Sequence, residues 1–331
     1  MVSQNQRVLD ALRKYEPAIR REFEKAISLA TSAVDLLELA GLIETNRIDD
    51  AVRLLRIDQS LLWPLHEAIR ATHMAGGGMA TELIPKGLRG VFGFDGRHHR
   101  AEQWVSQHAG QLVEGITRES IESTRQVILS GLQEGRSSRV VAREITGRQL
   151  GRKRVGGYMG LNSNQTDSII SGRAKLASGE PKLMREYLNL KLRNKRFDGT
   201  IKKAIREGRA ITGKQLDRIM EAHRFKALGY RGRVIAKDQS RVATSAGREE
   251  GMRQLMESGR VAKITARWQH NLSEKPRHDH VAMNGTVIEV GEAFEFPDGA
   301  RMKHPHDPAG GAKHGIGCKC IAVYRVHLPK D

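Results

Sequence analysis

Both cysteines of the chain, Cys318 and Cys320, fall in a short C-terminal stretch that also carries His278, His280, His304, His306 and His314. The stretch reads HDHVAMNG at 278–285, KHPHDP at 303–308 and HGIGCKC at 314–320. Imidazole nitrogen and thiolate sulfur are the ligands of four-coordinate zinc, and loops can gather them from separated positions. Cys318 and Cys320 supply two such ligands, and His280 and His314 are the candidates for the others. A tail this small has little room for a hydrophobic core, so a metal staple there makes physical sense, with zinc as the candidate cofactor. The spacing opposes it: structural zinc sites usually separate paired cysteines by roughly two to four residues, and C-x-C strains both sulfurs onto one ion. In the plainer arrangement the cysteines alternate along a strand and the histidines hydrogen-bond loop backbone.

Two catalytic arrangements compete with the metal staple. A His-Asn-His metal-dependent nuclease needs a general-base histidine, a metal-binding histidine and an orienting asparagine on a ββα hairpin. His280, Asn284 and His306 can be placed on that template, but PAGGAKHG follows the second histidine where the helix is expected. His314 and Cys318 can form a nucleophile pair, without a candidate oxyanion hole.

The chain carries a formal net charge of +18. Such an excess repels itself unless a polyanion neutralises it, which makes nucleic acid the first partner to consider. Aromatics are 5% of the residues, which argues against single-strand recognition by base stacking and for sequence-insensitive contact with duplex phosphates. The densest basic segment is 147–210, and its candidate phosphate contacts are Arg152, Lys153, Arg154, Lys191, Arg193, Lys195, Arg196, Lys202, Lys203 and Arg206. The bland alternative is a solvated helical face. Within 191–206, however, only Asp198 interrupts the positive charge, unlike a face balanced by acidic residues four positions away.

Apolar periodicity assigns the elements that must position these groups. Helices are expected through 3–73, over 99–113, from Thr117 to Leu132, over 139–145, from Thr166, over 211–224 and from 230 to about 256. Gly135 and Gly259 are expected stops, Ser137 or Ser138 and Thr212 expected caps. Three successive glycines, Gly76 to Gly78, are costly inside a helix and read as a hinge, prolonged by Pro85, Gly87, Gly90, Gly93 and Gly96. After Ser258 the pattern changes: ITARWQH reads as a strand, TVIEVGEAFEF as strand-turn-strand and CIAVYRV as a final strand. The expected fold is a mainly α-helical body with a small C-terminal α+β, β-rich domain. Its parts are an N-terminal helical region at 1–74, a glycine-rich hinge or loop at 75–98, a basic helical body at 99–259 and the small domain at 260–331. No apolar run reaches the length of a membrane span, and the N-terminus lacks a signal-peptide core, so an intracellular protein with no membrane contact is expected.

The tail resembles the phage minor-head, or head-morphogenesis, family typified by the Mu F protein. Trp268 stands where that family has a tryptophan ahead of a polar turn. Arg277, His280, Asn284 and Gly285 match its Arg-x-x-His-x-x-x-Asn-Gly element, and His314, Cys318 and Cys320 followed by Ile321-Ala-Val-Tyr match its terminal His/Cys element. The upstream helical segments are similar too, so the resemblance spans about 100–325. The chain departs from the pattern at Ser273-Glu274-Lys275-Pro276, which replaces an acidic-x-x-Thr run, and in a His314-to-Cys318 gap one residue longer. The resemblance implies a minor capsid protein of a tailed bacteriophage, in the head interior or at the portal vertex and in the host cytoplasm during assembly. It implies a non-enzymatic factor contacting portal protein, major capsid protein or both, and packaged double-stranded DNA without sequence specificity; helices of the first half can also pack on a second copy. The alternative is a metal-dependent, nuclease-like enzyme of nucleic acids using the His/Cys cluster.

Overall fold

A computed structural model describes residues 3–84, 92–271 and 277–329. Pro85, Gly87 and Gly90 of the expected loop, and the departure at Ser273 to Pro276, lie outside the described residues. In chain order the helices of the first half are α1 (Gln4–Ala33), α2 (Leu36–Glu44), α3 (Ile48–Leu54), α4 (Trp63–Gly78), α5 (His99–Gln133) and α6 (Ser138–Thr146). A hairpin of β1 (Arg148–Leu150) and β2 (Lys153–Val155) follows, then α7 (Ser163–Ala177), α8 (Pro181–Leu188), α9 (Asp198–Arg206) and α10 (Gly213–Glu257). The tail holds β3 (Lys263–Gln269), α11 (His278–Ala282), β4 (Val287–Glu289), β5 (Phe294–Glu295), β6 (Arg301–Met302), α12 (Gly311–Gly315) and β7 (Ile321–His327). The fold is therefore a helical body with a small α+β C-terminal region, as the sequence leads one to expect. No single helix among the described residues is long and apolar enough to cross a membrane.

The chain forms two compact units that interleave along the sequence. One comprises Met1–Arg21, Pro64–Gly110 and Val234–Asp331; the other comprises Glu22–Trp63 and Gln111–Arg233.

In the first unit, β3 is the central strand of an antiparallel sheet ordered β4-β3-β7, with Ala266 opposite both Ile288 and Tyr324. Alternation along β3 buries Ile264, Ala266 and Trp268, and these pack with Phe294, Phe296, Met302, Met252 and Leu255 into one core. TVIEVGEAFEF does contain two strands, but they do not pair with each other: β4 pairs β3, and β5 pairs β6. The start of α1 joins this unit through Gln4, whose side chain exchanges two hydrogen bonds with the Tyr324 backbone at 2.7 and 3.0 Å.

The expected hinge at Gly76 to Gly78 is instead the last turn of α4. Gly76 and Gly77 are needed for proximity, not motion, while Gly78 faces open space. A Cβ on Gly76 would stand 2.4 Å from the Thr244 carbonyl oxygen, and one on Gly247 2.0 Å from that of His73. Backbone therefore meets backbone where α4 crosses α10, and the tight contact offsets the helix-propensity cost of glycine.

In the second unit, Asn162 and Gln165 form a reciprocal capping box that starts α7, three residues before the expected helix start at Thr166. Glu144, buried on α6, accepts from Arg173 at 3.2 Å and also pairs with Arg136. Three further expectations are corrected. Thr117 does not cap a new helix: its hydroxyl donates to the Val113 carbonyl at 3.0 Å, inside a continuous α5. The helices expected at 211–224 and 230–256 are one, α10. The basic stretch 147–154 is largely a β-hairpin turning at Gly151, φ +60°, not a helical face.

Candidate metal centre

The cluster at the tail is assembled in the first unit from three places in the chain. The short helix α11 presents His280, while Cys318 and Cys320 lie on the approach to β7; all three are buried. Trp268 sets the floor: its ring meets His280 edge-on at 5.6 Å and is itself boxed edge-on by Phe294 and Phe296 at 5.1 and 5.2 Å. An apolar box of this kind fixes the imidazole plane without competing for its nitrogens.

Nδ1 of His280 lies 3.4 Å from the sulfur of Cys318 and 3.4 Å from that of Cys320. The three ligand atoms are all within 4.8 Å of one another. With zinc–nitrogen and zinc–sulfur bonds of about 2.1 and 2.3 Å, a tetrahedral ion would span a nitrogen–sulfur edge of about 3.6 Å. Both nitrogen–sulfur distances are close to that edge. The C-x-C spacing therefore does not keep the sulfurs from one histidine nitrogen, because the chain bends between them: the Cys320 N–H donates to the Cys318 sulfur at 3.3 Å. This His/Cys group can hold a metal ion.

Of the four expected ligands, His314 is the one the structure places elsewhere. Its ring stacks on His280 at 5.3 Å with a 7° tilt, and its Nδ1 lies 3.1 Å from Nε2 of His280, away from the sulfurs. Its Nε2 lies 2.9 Å from the Asp298 carboxylate. The carboxylate can only accept, so His314 carries its proton on Nε2. Its Nδ1 then accepts from Nε2–H of His280, which leaves Nδ1 of His280 with a lone pair toward the sulfurs. This is the carboxylate-histidine orientation seen behind metal ligands, lengthened by one ring. Lys313 bridges Asp298 and Asp279, and its ammonium, followed by His314, holds the Asp298 carboxyl well below the usual carboxylate range.

Without an ion, the two thiols share one charge. The Cys320 S–H and N–H both donate to Cys318, so Cys318 is held down as the thiolate. Cys320 is pushed up by that neighbouring sulfur and by burial.

The other template residues do not converge on the cluster's open side. Oδ1 of Asn284 accepts the His270 N–H at 2.9 Å, and His306 donates from Nε2 to the Cys320 carbonyl at 3.1 Å. His306 holds a left-handed backbone, φ 72°, to make that bond, and burial lowers its pKa to about 4. PAGGAKHG does contain a helix, the five residues of α12 that place His314. It is His280, not His314, that faces Cys318. The remaining motif residues are structural: Arg277 donates to the Ile316 carbonyl, and Gly285, φ +91°, hydrogen-bonds the Trp268 carbonyl at 2.8 Å. Sequence reading missed Asp298, which in PDGAR looks only like a turn residue.

The candidate phosphate contacts lie in the second unit. Arg152, Lys153, Lys191, Lys195, Arg196, Lys202, Lys203 and Arg206 are exposed, and Arg154 is half-buried with a 3.4 Å bond to the Gly147 carbonyl. Arg193 differs from the rest. Its guanidinium grips Asp198 through two bonds of 3.0 and 2.8 Å and also bonds the Leu190 carbonyl, so it holds the loop before α9.

No family model matches the chain, and no solved structure matches it. Over 94 residues it is 32% identical to the uncharacterized protein YqbB of Bacillus subtilis (strain 168), a stretch covering 28% of this chain and 29% of that protein. The chain thus matches less than a third of this relative's length.

Proposed function

We propose that the chain is a minor capsid, head-morphogenesis protein of a tailed bacteriophage: a non-enzymatic assembly factor that contacts portal or capsid protein and packaged double-stranded DNA. The observation that carries this reading is the convergence of the motif residues. Trp268 and His280 meet Cys318 and Cys320, about forty to fifty residues further along the chain, in one buried cluster, while Arg277, Asn284 and Gly285 hydrogen-bond the backbone around it. A coincidental match of short motifs gives no reason for such convergence. The exposed cations of the second unit supply the phosphate contact, with Arg193 set aside.

In this reading the cofactor is zinc, held by Nδ1 of His280 and the sulfurs of Cys318 and Cys320, with the fourth position left to solvent or another ligand. Its contribution is to staple a small domain by coupling ligand binding to folding. The buried thiolate beside an orienting histidine supports that role.

DNA retention is the test. A labelled duplex and its scrambled version bind equally, and affinity falls about 10³- to 10⁵-fold between roughly 50 and 200 mM salt if six to ten phosphates are neutralised. A flat salt response removes the phosphate contact. Nicking of supercoiled plasmid with Mg²⁺ or Zn²⁺, lost in His280→Ala, sets the nuclease reading above this one.

A further inference from the structure

The second unit contains a feature that duplex phosphate contact alone does not explain. Two adjoining hollows of about 560 and 300 Å³ share Arg148, Arg218 and Glu221 in their walls. One wall is α10, where Lys214, Arg218, Glu221 and Phe225 recur at steps of four, three and four residues and so share one face. The β1-β2 hairpin contributes Arg148 and Leu150, and the turn before α9 contributes Arg196.

The acids in this trough are already occupied. Glu221 pairs with Arg148 at 2.7 Å, Asp217 with Arg173 at 3.1 Å, and Glu144 with Arg173 and Arg136. Arg143, Arg196, Lys214 and Arg218 line the hollows with no acidic partner among the described residues. Among these unneutralised cations stand two large apolar side chains in solvent, Phe225 at 61% exposure and Leu150 at 57%. Exposing an aromatic ring forfeits burial free energy, and a ring among free guanidinium groups is the arrangement that stacks a base while its phosphates are neutralised.

We propose that this trough binds single-stranded nucleic acid, with a base on Phe225 and the flanking phosphates on Arg196, Arg218, Lys214 and Arg143. The hollows match the roughly 300–1,000 Å³ of small-molecule sites, a size that accepts nucleotide-sized groups. An acidic peptide is the competing occupant. The strand is favoured because the free cations are mostly guanidinium and because basic residues continue from the lining on both sides, Arg152 to Arg154 along the hairpin and Lys195 beside Arg196. Aromatic scarcity across the chain argued against stacking, but one ring suffices where it is held among cations. Arg196 is shared with the duplex contact, and Phe225, Arg143, Lys214 and Arg218, which are not among those phosphate candidates, are what distinguish this site.

The experiment is fluorescence anisotropy of the whole chain with a labelled twelve-nucleotide dT strand, the matching twelve-pair duplex and a labelled acidic peptide of equal charge. Phe225→Ala, at an exposed position, is expected to weaken dT binding about five- to a hundred-fold, the range of losing one stacked base, and to leave duplex binding unchanged. Phe225→Trp is expected to restore or strengthen it. Equal dT affinity in the native chain and Phe225→Ala overturns the proposal, as does Phe225-dependent binding of the peptide without binding of dT. Loss of duplex binding alone would overturn only the duplex contact and leave this site standing.

Discussion

At the scale of single residues, the tail's chemistry depends on which nitrogen faces which partner. His280 uses Nδ1 on the sulfur side and Nε2 on His314, and His314 passes the link to Asp298. This order separates ligands from their supports and gives them different mutational signatures. Protein purified with zinc and measured by elemental analysis is expected to carry one ion per chain, lost in His280→Ala and in Cys318→Ser. His314→Ala and Asp298→Asn should keep the stoichiometry but weaken zinc about 10- to 100-fold in a competition titration with a chelator, the usual cost of an orienting partner. Unchanged affinity in Asp298→Asn would mean that the chain of rings orients nothing. A native chain without zinc would end the staple. The ligands were visible in sequence because the chain has only two cysteines and several of its histidines cluster beside them. The sorting of His314 from His280 was not, because both are histidines in polar loops and only the packing of Phe296 against both rings decides which nitrogen points where.

At the scale of elements, the sequence made the strands β3 and β7 and the glycine stops legible, because alternation and positive-φ glycines are local signals. Its errors share a cause: a residue that ends a helix in isolation can sit inside one when a neighbour requires it. Thr117 bonds its own helix, and Gly76 makes room for α10. A matched pair of substitutions tests that account. Gly110 lies inside α5 with open space where a Cβ would go, so Gly110→Ala is expected to stabilise by up to about 1 kcal/mol through helix propensity. Gly247→Ala places the same methyl group 2.0 Å from the His73 carbonyl oxygen and is expected to destabilise by about 1–3 kcal/mol, as overpacking does. Denaturant unfolding of the two variants reads both signs. A stabilised Gly247→Ala would remove close approach as the reason for glycine there.

At the scale of the whole molecule, the two units contain the same titratable device. His73 in one and His223 in the other are each about 1% exposed, and burial lowers each pKa from 6.5 to about 4. His73 stacks on Trp104 at 4.7 Å with its Nδ1 unpaired, and His223 packs edge-on to Tyr187 at 5.7 Å. Between pH 6.5 and 4 the unfolded chain binds a proton at each site that the folded chain refuses, so stability falls as pH is lowered through that window and levels off near pH 4. Each histidine can account for up to about 3 kcal/mol of the fall. The carboxylates held down by ion pairs, such as Asp298, lose their contribution at lower pH. Burial instead raises the carboxyls of Glu249 and Asp238, whose protonation in the folded state opposes the histidine loss and is common to the native chain and both variants. Urea unfolding at pH 7.0 and pH 4.5 is therefore expected to show a large acid loss in the native chain. In His73→Gln, and separately in His223→Gln, the loss should shrink by on the order of 2 kcal/mol, even where the variant is less stable at neutral pH. The difference between the two pH values isolates protonation from packing, because a side chain that merely fills space lowers both measurements alike. If neither variant reduces the acid loss, burial of neutral imidazole is not what makes the two units acid-sensitive.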